Sequence, residues 1–228
     1  MERWLAEQLT GWLTTQHREK VMEIIQAESP SFSSRRTHEP NVIVIHKTLG
    51  NMPGTLHWLR KKEAKVSAHY LVTKKGEVYQ LVDEANAAWH AGRINKPSPR
   101  ALAVMKKDSE GRWVNPNRYT IGIECEALQD ENWTEPQMKA LVALCNKIKE
   151  STSNGFNGEL DRIITHRDLT SYKPNMDIWL ATLHGHLTSP IKVESGDEYV
   201  ALRKELSEIE GLLHQALAKI EDLEQTYG

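Results

Sequence analysis

The sequence predicts an α/β protein built on one central mixed β-sheet flanked by helices. Three observations lead there. The runs NVIVIH, YTIGIECEA and DRIITH are short, apolar and β-branched, as strands buried on both faces are. Between them lie segments with apolar residues at helical spacing, such as TEPQMKALVALCNKIKE. Strand and helix signals interleave along the chain, and that order belongs to α/β architecture.

In chain order, residues 1–28 place Trp4, Leu5, Leu9, Trp12, Leu13, Val21, Met22 and Ile25 at helical spacing, which predicts an N-terminal amphipathic helical segment. The Ser- and Pro-rich stretch 29–40, SPSFSSRRTHEP, reads as a linker. The central domain is expected over 41–190. It opens with the strand NVIVIH, followed by a helix over TLHWLRKKEA. AHYLVTKKGEVYQLV reads as a hairpin turning at Lys75-Gly76, and YTIGIECEA as a further buried strand. Thr134 is placed to cap the next helix, with Pro136 in its first turn. DRIITH is the last strand and ends on His166.

Over 196–228, Leu202, Leu206, Ile209, Leu213, Ala216, Ile220, Leu223 and Tyr227 recur at alternating intervals of four and three, with charged and amide residues between them. That narrow seam predicts a coiled-coil helix joining copies of the chain into a homo-oligomer. A helix folded back on its own domain is the alternative.

The 228 residues carry a formal charge of −2, which gives no electrostatic reason to expect a nucleic-acid partner. No stretch approaches the roughly 20 apolar residues of a membrane span. The first residues lack the basic-then-apolar order of a secretory signal, so synthesis in the cytoplasm is expected. Cys125 and Cys145 lie in apolar contexts and read as buried, inert thiols.

His46 and His166 each end an apolar strand, at the sheet edge where sites in α/β proteins form. The segments VIVIHKTLGNMPGT, VSAHYLVTKKGEVYQLV, AWHAGR, NRYTIGIECEA, TEPQMKAL and ITHRDL occur in that order. Together they resemble the zinc-dependent N-acetylmuramoyl-L-alanine amidases of the type-2 family, which includes phage endolysins, anhydro-muropeptide amidases and peptidoglycan recognition proteins. The resemblance covers about 41–180.

It implies a zinc ion in a groove, with bacterial peptidoglycan or muropeptide as substrate and the muramoyl–L-alanine amide as the bond cut. By motif, His46 and His166 are two zinc ligands and Glu124 of GIECE is the catalytic acidic residue. The tyrosine that serves other branches is replaced by Ala68. Lys173 would stabilise the oxyanion. His69, His90 and Trp89 are expected in the substrate groove. The product would be a phage lysin or a bacterial muropeptide enzyme acting on the cell wall.

The third ligand departs from the pattern. The family has a Cys or Asp shortly after the second histidine, where this chain has Pro174 and Met176. Three registers compete, placing Asn175, Lys173 or Asp177 at the ligand. Asp177 is favoured on chemistry, as a hard oxygen donor; its competing use is to cap the helix that follows. If Asp177 caps, the metal site is incomplete and the fold serves as a catalytically inactive peptidoglycan-binding or structural protein.

Overall fold

A computed structural model describes residues 22–151 and 160–188 of the chain. Among the described residues eight strands form two sheets: β1 (Ile24–Gln26), β2 (Phe32–Ser34), β3 (Val42–Lys47), β4 (Tyr70–Val72), β5 (Val78–Gln80), β6 (Asn86–Ala88), β7 (Thr120–Cys125) and β8 (Ile163–Thr165). The main sheet has six strands in the order β1-β5-β4-β7-β3-β8, and β2 pairs with β6 in a separate antiparallel ribbon. Within the main sheet only β4 and β5 run antiparallel; the other pairs are parallel. The mixed sheet expected from the sequence is therefore present. Five α-helices accompany the strands in the described residues: α1 (Gly54–Leu59), α2 (Pro99–Val104), α3 (Glu135–Ser151), α4 (His166–Leu169) and α5 (Asp177–Thr188).

The three apolar runs form the adjacent strands β7, β3 and β8, and their alternation sorts residues between two cores. Ile43, Ile45, Ile121, Ile123 and Ile163 pack with Leu141, Leu144 and Ile148 of α3 and with Leu180 and Leu183 of α5. Val42, Val44 and Ile164 pack on the opposite face with Ala101 and Val104 of α2 and with Tyr119. A strand covered on both faces needs apolar residues at every position, so NVIVIH shows no polar alternation.

The hairpin turns where the sequence places it. Gly76 has φ +82°, and a Cβ there would lie 2.7 Å from the Pro136 carbonyl oxygen, so both conformation and space require glycine. Thr134 caps α3 by accepting a hydrogen bond from Gln137 N at 3.3 Å, while its hydroxyl donates to the Lys74 carbonyl. That pair ties the helix start to the hairpin. Cys125 and Cys145 are both free and buried.

The structure departs from the sequence reading at the front of the domain. Ile24–Gln26, expected in a helix, is a strand pairing in parallel with β5. Residues 29–40 are not a linker: Ser29 and Ser31 are buried, and Arg35 is only 4% exposed. Arg35 Nε donates to the Glu84 carbonyl at 2.6 Å, and its Nη groups donate to the carbonyls of Arg118 at 3.0 Å and Thr120 at 3.1 Å. Burial lowers the guanidinium pKa to about 10, and the charges of Glu84, Glu39 and Asp83 oppose that shift. A stretch that looks solvated by composition thus plugs into the sheet edge through one side chain. Residues 1–21 and the heptad segment 196–228 lie outside the described residues. Among the described residues no helix is long and apolar enough to cross a membrane.

Candidate active site

Strand register assembles the site. His46 on β3 stands opposite Glu124 on β7, and Ile45 stands opposite Thr165 on β8, so His166 follows at the same level. Three parallel strands therefore deliver His46, Glu124 and His166 to one edge of the sheet, at the ends where α/β sites form. His46 and Glu124 share the strand parity of Val44, which selects their face.

The turn carrying His166 is fixed by the TxxD sequence of Thr165 and Asp168, a reciprocal capping box. Thr165 donates to Asp168 Oδ2 from both its backbone N and its hydroxyl, each at 2.8 Å. Ser98 Oγ at 2.7 Å and Arg100 Nη1 at 3.1 Å also donate to Asp168 Oδ1. Burial opposes the charge, but those hydrogen bonds and Arg100 hold the Asp168 carboxyl below the usual range. Asp168 and Arg100 were not foreseen as parts of the site's support. The spacing of Thr165 and Asp168 is the signal that could have found Asp168.

His46, His90, Glu124, His166, Lys173 and Trp89 all line one cavity of about 460 Å³. The rings of His46 and His166 have centroids 4.5 Å apart. His166 donates from Nε2 to the Ala91 carbonyl at 3.1 Å, which leaves its Nδ1 as a lone pair. Burial, with Lys173 adding to it, lowers the His166 pKa to about 4. Burial and the neighbouring His166 and His90 take His46 well below its ordinary value. Both imidazoles are neutral at pH 7, the form that binds a metal.

Glu124 Oε1 lies 3.7 Å from His46 Nδ1, and its Oε2 is buried without a hydrogen-bond partner among the described residues. Burial raises the Glu124 carboxyl to about 7, against the pull of Lys173. A carboxyl in that position can accept and return a proton near neutrality. Lys173 is held at the cavity by its loop: its backbone N donates to the Thr170 carbonyl at 3.1 Å, and Arg167 donates to the Lys173 carbonyl at 2.7 Å.

Two expected residues are placed elsewhere. His69 is fully buried and does not line the cavity. Its Nδ1 accepts from Gly122 N at 2.9 Å and its ring lies edge-on to His90, so it supports the floor of the site and not a groove. Asp177 is the first residue of α5 and lines a separate depression with Ser98, Arg100 and Asp168. Its side chain is 59% exposed and sits 3.5 Å from Arg100. A carboxylate is favoured there by the helix dipole and the cation, which gives Asp177 a role without a metal. The Asn175 side chain is also committed, since its oxygen accepts from Asp177 N at 2.9 Å.

For zinc, the donors fit in kind: two neutral imidazoles and an unpartnered carboxylate face one cavity. Among the described residues, however, no group of three His, Cys, Asp or Glu is arranged to hold a metal ion. Two donors are in place, and the third register expected from the sequence is not filled by Asp177.

Comparisons with known proteins bear on the family and the fold. N-acetylmuramoyl-L-alanine amidase A of Achromobacter lyticus is 30% identical over 123 residues, 53% of this chain and 57% of that protein. The 1,6-anhydro-N-acetylmuramyl-L-alanine amidase AmpD of Haemophilus influenzae is 32% identical over 108 residues, 47% of this chain and 50% of its own. The matches thus span about half the length of these relatives. In fold, the chain is similar to a mutant endolysin from Bacillus subtilis, with a TM-score of 0.50 at 20% identity over 72% of this chain and 99% of that one. The family model described as N-acetylmuramoyl-L-alanine amidase matches residues 36–177, more than half of the chain, and the chain belongs to that family.

Proposed function

We propose that the chain hydrolyses the amide between the lactyl group of N-acetylmuramic acid and the L-alanine of the stem peptide, in peptidoglycan or in muropeptides released from it. The observation that carries this reading is the meeting of His46, His166, Glu124 and Lys173 at one sheet edge in a member of this family. His46 and His166 would hold zinc through their Nδ1 atoms. When bound there, zinc supplies a Lewis acid and lowers the pKa of water to about 7.

The chain's own residues divide the remaining work. Glu124 takes the proton of the attacking water and returns it to the departing alanine nitrogen. Its unpartnered Oε2 is the atom free to do so. Lys173 places a positive charge where the amide oxygen gains negative charge. Trp89 and Trp58, 37% and 54% exposed on the cavity wall, offer flat apolar faces to a sugar ring or to the peptide stem.

A second reading, a wall-binding protein without turnover, is favoured by one observation, the missing third donor among the described residues. One experiment separates the two. The purified full chain is given zinc and insoluble peptidoglycan; zinc content, sedimentation with the wall and release of new alanine amino termini are measured together. The amidase reading expects release that falls by on the order of 10²–10⁴ in Glu124→Gln. Sedimentation without release, at any zinc supply, would establish the binding reading. The same proposal assigns the 196–228 seam to self-association, and Leu206→Lys with Leu213→Lys should dissociate the oligomer in analytical ultracentrifugation.

A further inference from the structure

We infer that His90 is a positioning residue for this site: through a directed chain of hydrogen bonds it fixes which nitrogen of His46 carries the lone pair. The inference deepens the amidase reading, but its physical content stands without turnover.

The chain starts at Thr120. Its hydroxyl has a single hydrogen, and that hydrogen is donated to the Pro116 carbonyl at 2.8 Å. The same oxygen lies 3.0 Å from His90 Nε2, so Thr120 must accept there and His90 Nε2 must carry the proton. A neutral His90 then has its lone pair on Nδ1. That atom lies 3.0 Å from His46 Nε2, which therefore donates. His46 is left with a lone pair on Nδ1, the atom 3.7 Å from Glu124 Oε1. Each step follows from the one before because every group has only one proton to give.

The seat of His90 is built for this. The ring lies directly over the backbone of β7 at Gly122, where an added Cβ would fall 2.3 Å from His90 Cγ and 2.4 Å from Nδ1. Any side chain at 122 would push the imidazole off its partners. Asn117 Oδ1 accepts from His90 N at 3.2 Å and from Ala91 N at 2.8 Å, holding the backbone that presents the ring. Glycine in TIGIE and histidine in WHAG are thus two halves of one contact. His166 reaches the matching state by its own bond to Ala91, one residue on from His90. His46 and His166 are therefore both held with Nδ1 free.

The test reads tautomers directly. Long-range ¹⁵N–¹H spectra of ¹⁵N-histidine-labelled full chain, recorded near pH 7.5 after chelator treatment, should show His46 protonated on Nε2 and bare on Nδ1, the signal being assigned by its loss in His46→Asn. His90→Asn keeps an acceptor at the place of Nδ1 and should preserve that pattern. His90→Phe fills the seat but accepts nothing and should lose it, as should Thr120→Val, at a residue that neither lines the cavity nor bonds to His46. Zinc affinity, by competition with a chromophoric chelator, should fall about 10- to 100-fold in His90→Phe and recover in His90→Asn. A wild-type His46 protonated on Nδ1 would overturn the inference, whether or not the chain is an amidase. Equal behaviour of the Phe and Asn variants, with melting temperatures matched, would also overturn it, since a merely space-filling histidine would not distinguish them. Absence of amidase turnover alongside the expected tautomer would sink the functional reading alone.

Discussion

Arg35→Ala should destabilise the domain by about 4 kcal/mol, and the structure allows that figure to be worked. The guanidinium is 4% exposed and donates to the carbonyls of Glu84, Arg118 and Thr120 at distances from 2.6 to 3.1 Å. Hydrogen bonds from a charged donor contribute about 1.5–3 kcal/mol each, and a buried carbonyl left without a donor costs about 1–3 kcal/mol. The three carbonyls held within 3.1 Å would approach about 6 kcal/mol if all stayed dry, and the Asn117 carbonyl at 3.3 Å and His69 Nε2 at 2.8 Å are further partners of the same group. Removal of the side chain opens space for water to reach some of them, and release of a buried cation from its desolvation offsets part of the rest. About 4 kcal/mol remains. With a urea m-value of about 2 kcal/mol/M, the midpoint should drop by about 2 M, read by tryptophan fluorescence and circular dichroism together. Arg35→Lys should recover less than half, because an ammonium cannot match the fork geometry. A loss below about 1 kcal/mol for Arg35→Ala would refute the reasoning that this side chain anchors residues 29–40.

Asp177→Ala should leave zinc content and any turnover within about twofold, because Asp177 sits apart from the cavity; the stability loss should stay under about 1 kcal/mol for an exposed pair with Arg100 at a helix start. Gly76→Ala should cost more than about 1 kcal/mol by denaturant titration, since φ is +82° and the new Cβ meets the Pro136 carbonyl oxygen. Burial pushes the Cys145 thiol up to about 12 and that of Cys125 well above its usual value, so both should resist Ellman's reagent at pH 8 and react on unfolding.

The elements legible in the sequence are those with a local cause. NVIVIH, TIGIEC and IIT read as strands because burial on two faces leaves no room for polar residues. The hairpin and α3 announce themselves through Gly76 and Thr134. β1 and β2 do not. They are three residues long, mostly exposed, and stabilised by partners more than fifty residues away in sequence. Arg35 was illegible for a related reason, since beside Arg36 and several serines it carries no local mark of burial. His46, His166 and Glu124 were found through strand ends and motif. The division of labour between His69 and His90 follows only from which side of Gly122 each ring occupies.

The loop after His166 shows why a third ligand could not be chosen from chemistry alone. Asp177 is the better donor by type, yet position is decided by what the chain does with its backbone groups. The start of α5 leaves N–H groups to satisfy, and Asn175 takes that of Asp177 with its side-chain oxygen. Asp177 then falls on the first turn, turned toward Arg100, which already bridges to Asp168 in the turn that carries His166. The same acidic residue that looked like a ligand thus reinforces the support of His166 from the far side. Pro174 and Met176, which stand where the family has its Cys or Asp, line the cavity, and Met176 is buried against the core of α3 and α5. Apolar side chains line the cavity there, and the supports of the two histidines are complete: the capping box under His166 and the Thr120–His90 chain behind His46. Glu124, with one carboxylate oxygen unpartnered among the described residues in the same cavity, is therefore the residue whose substitution separates the two readings most directly.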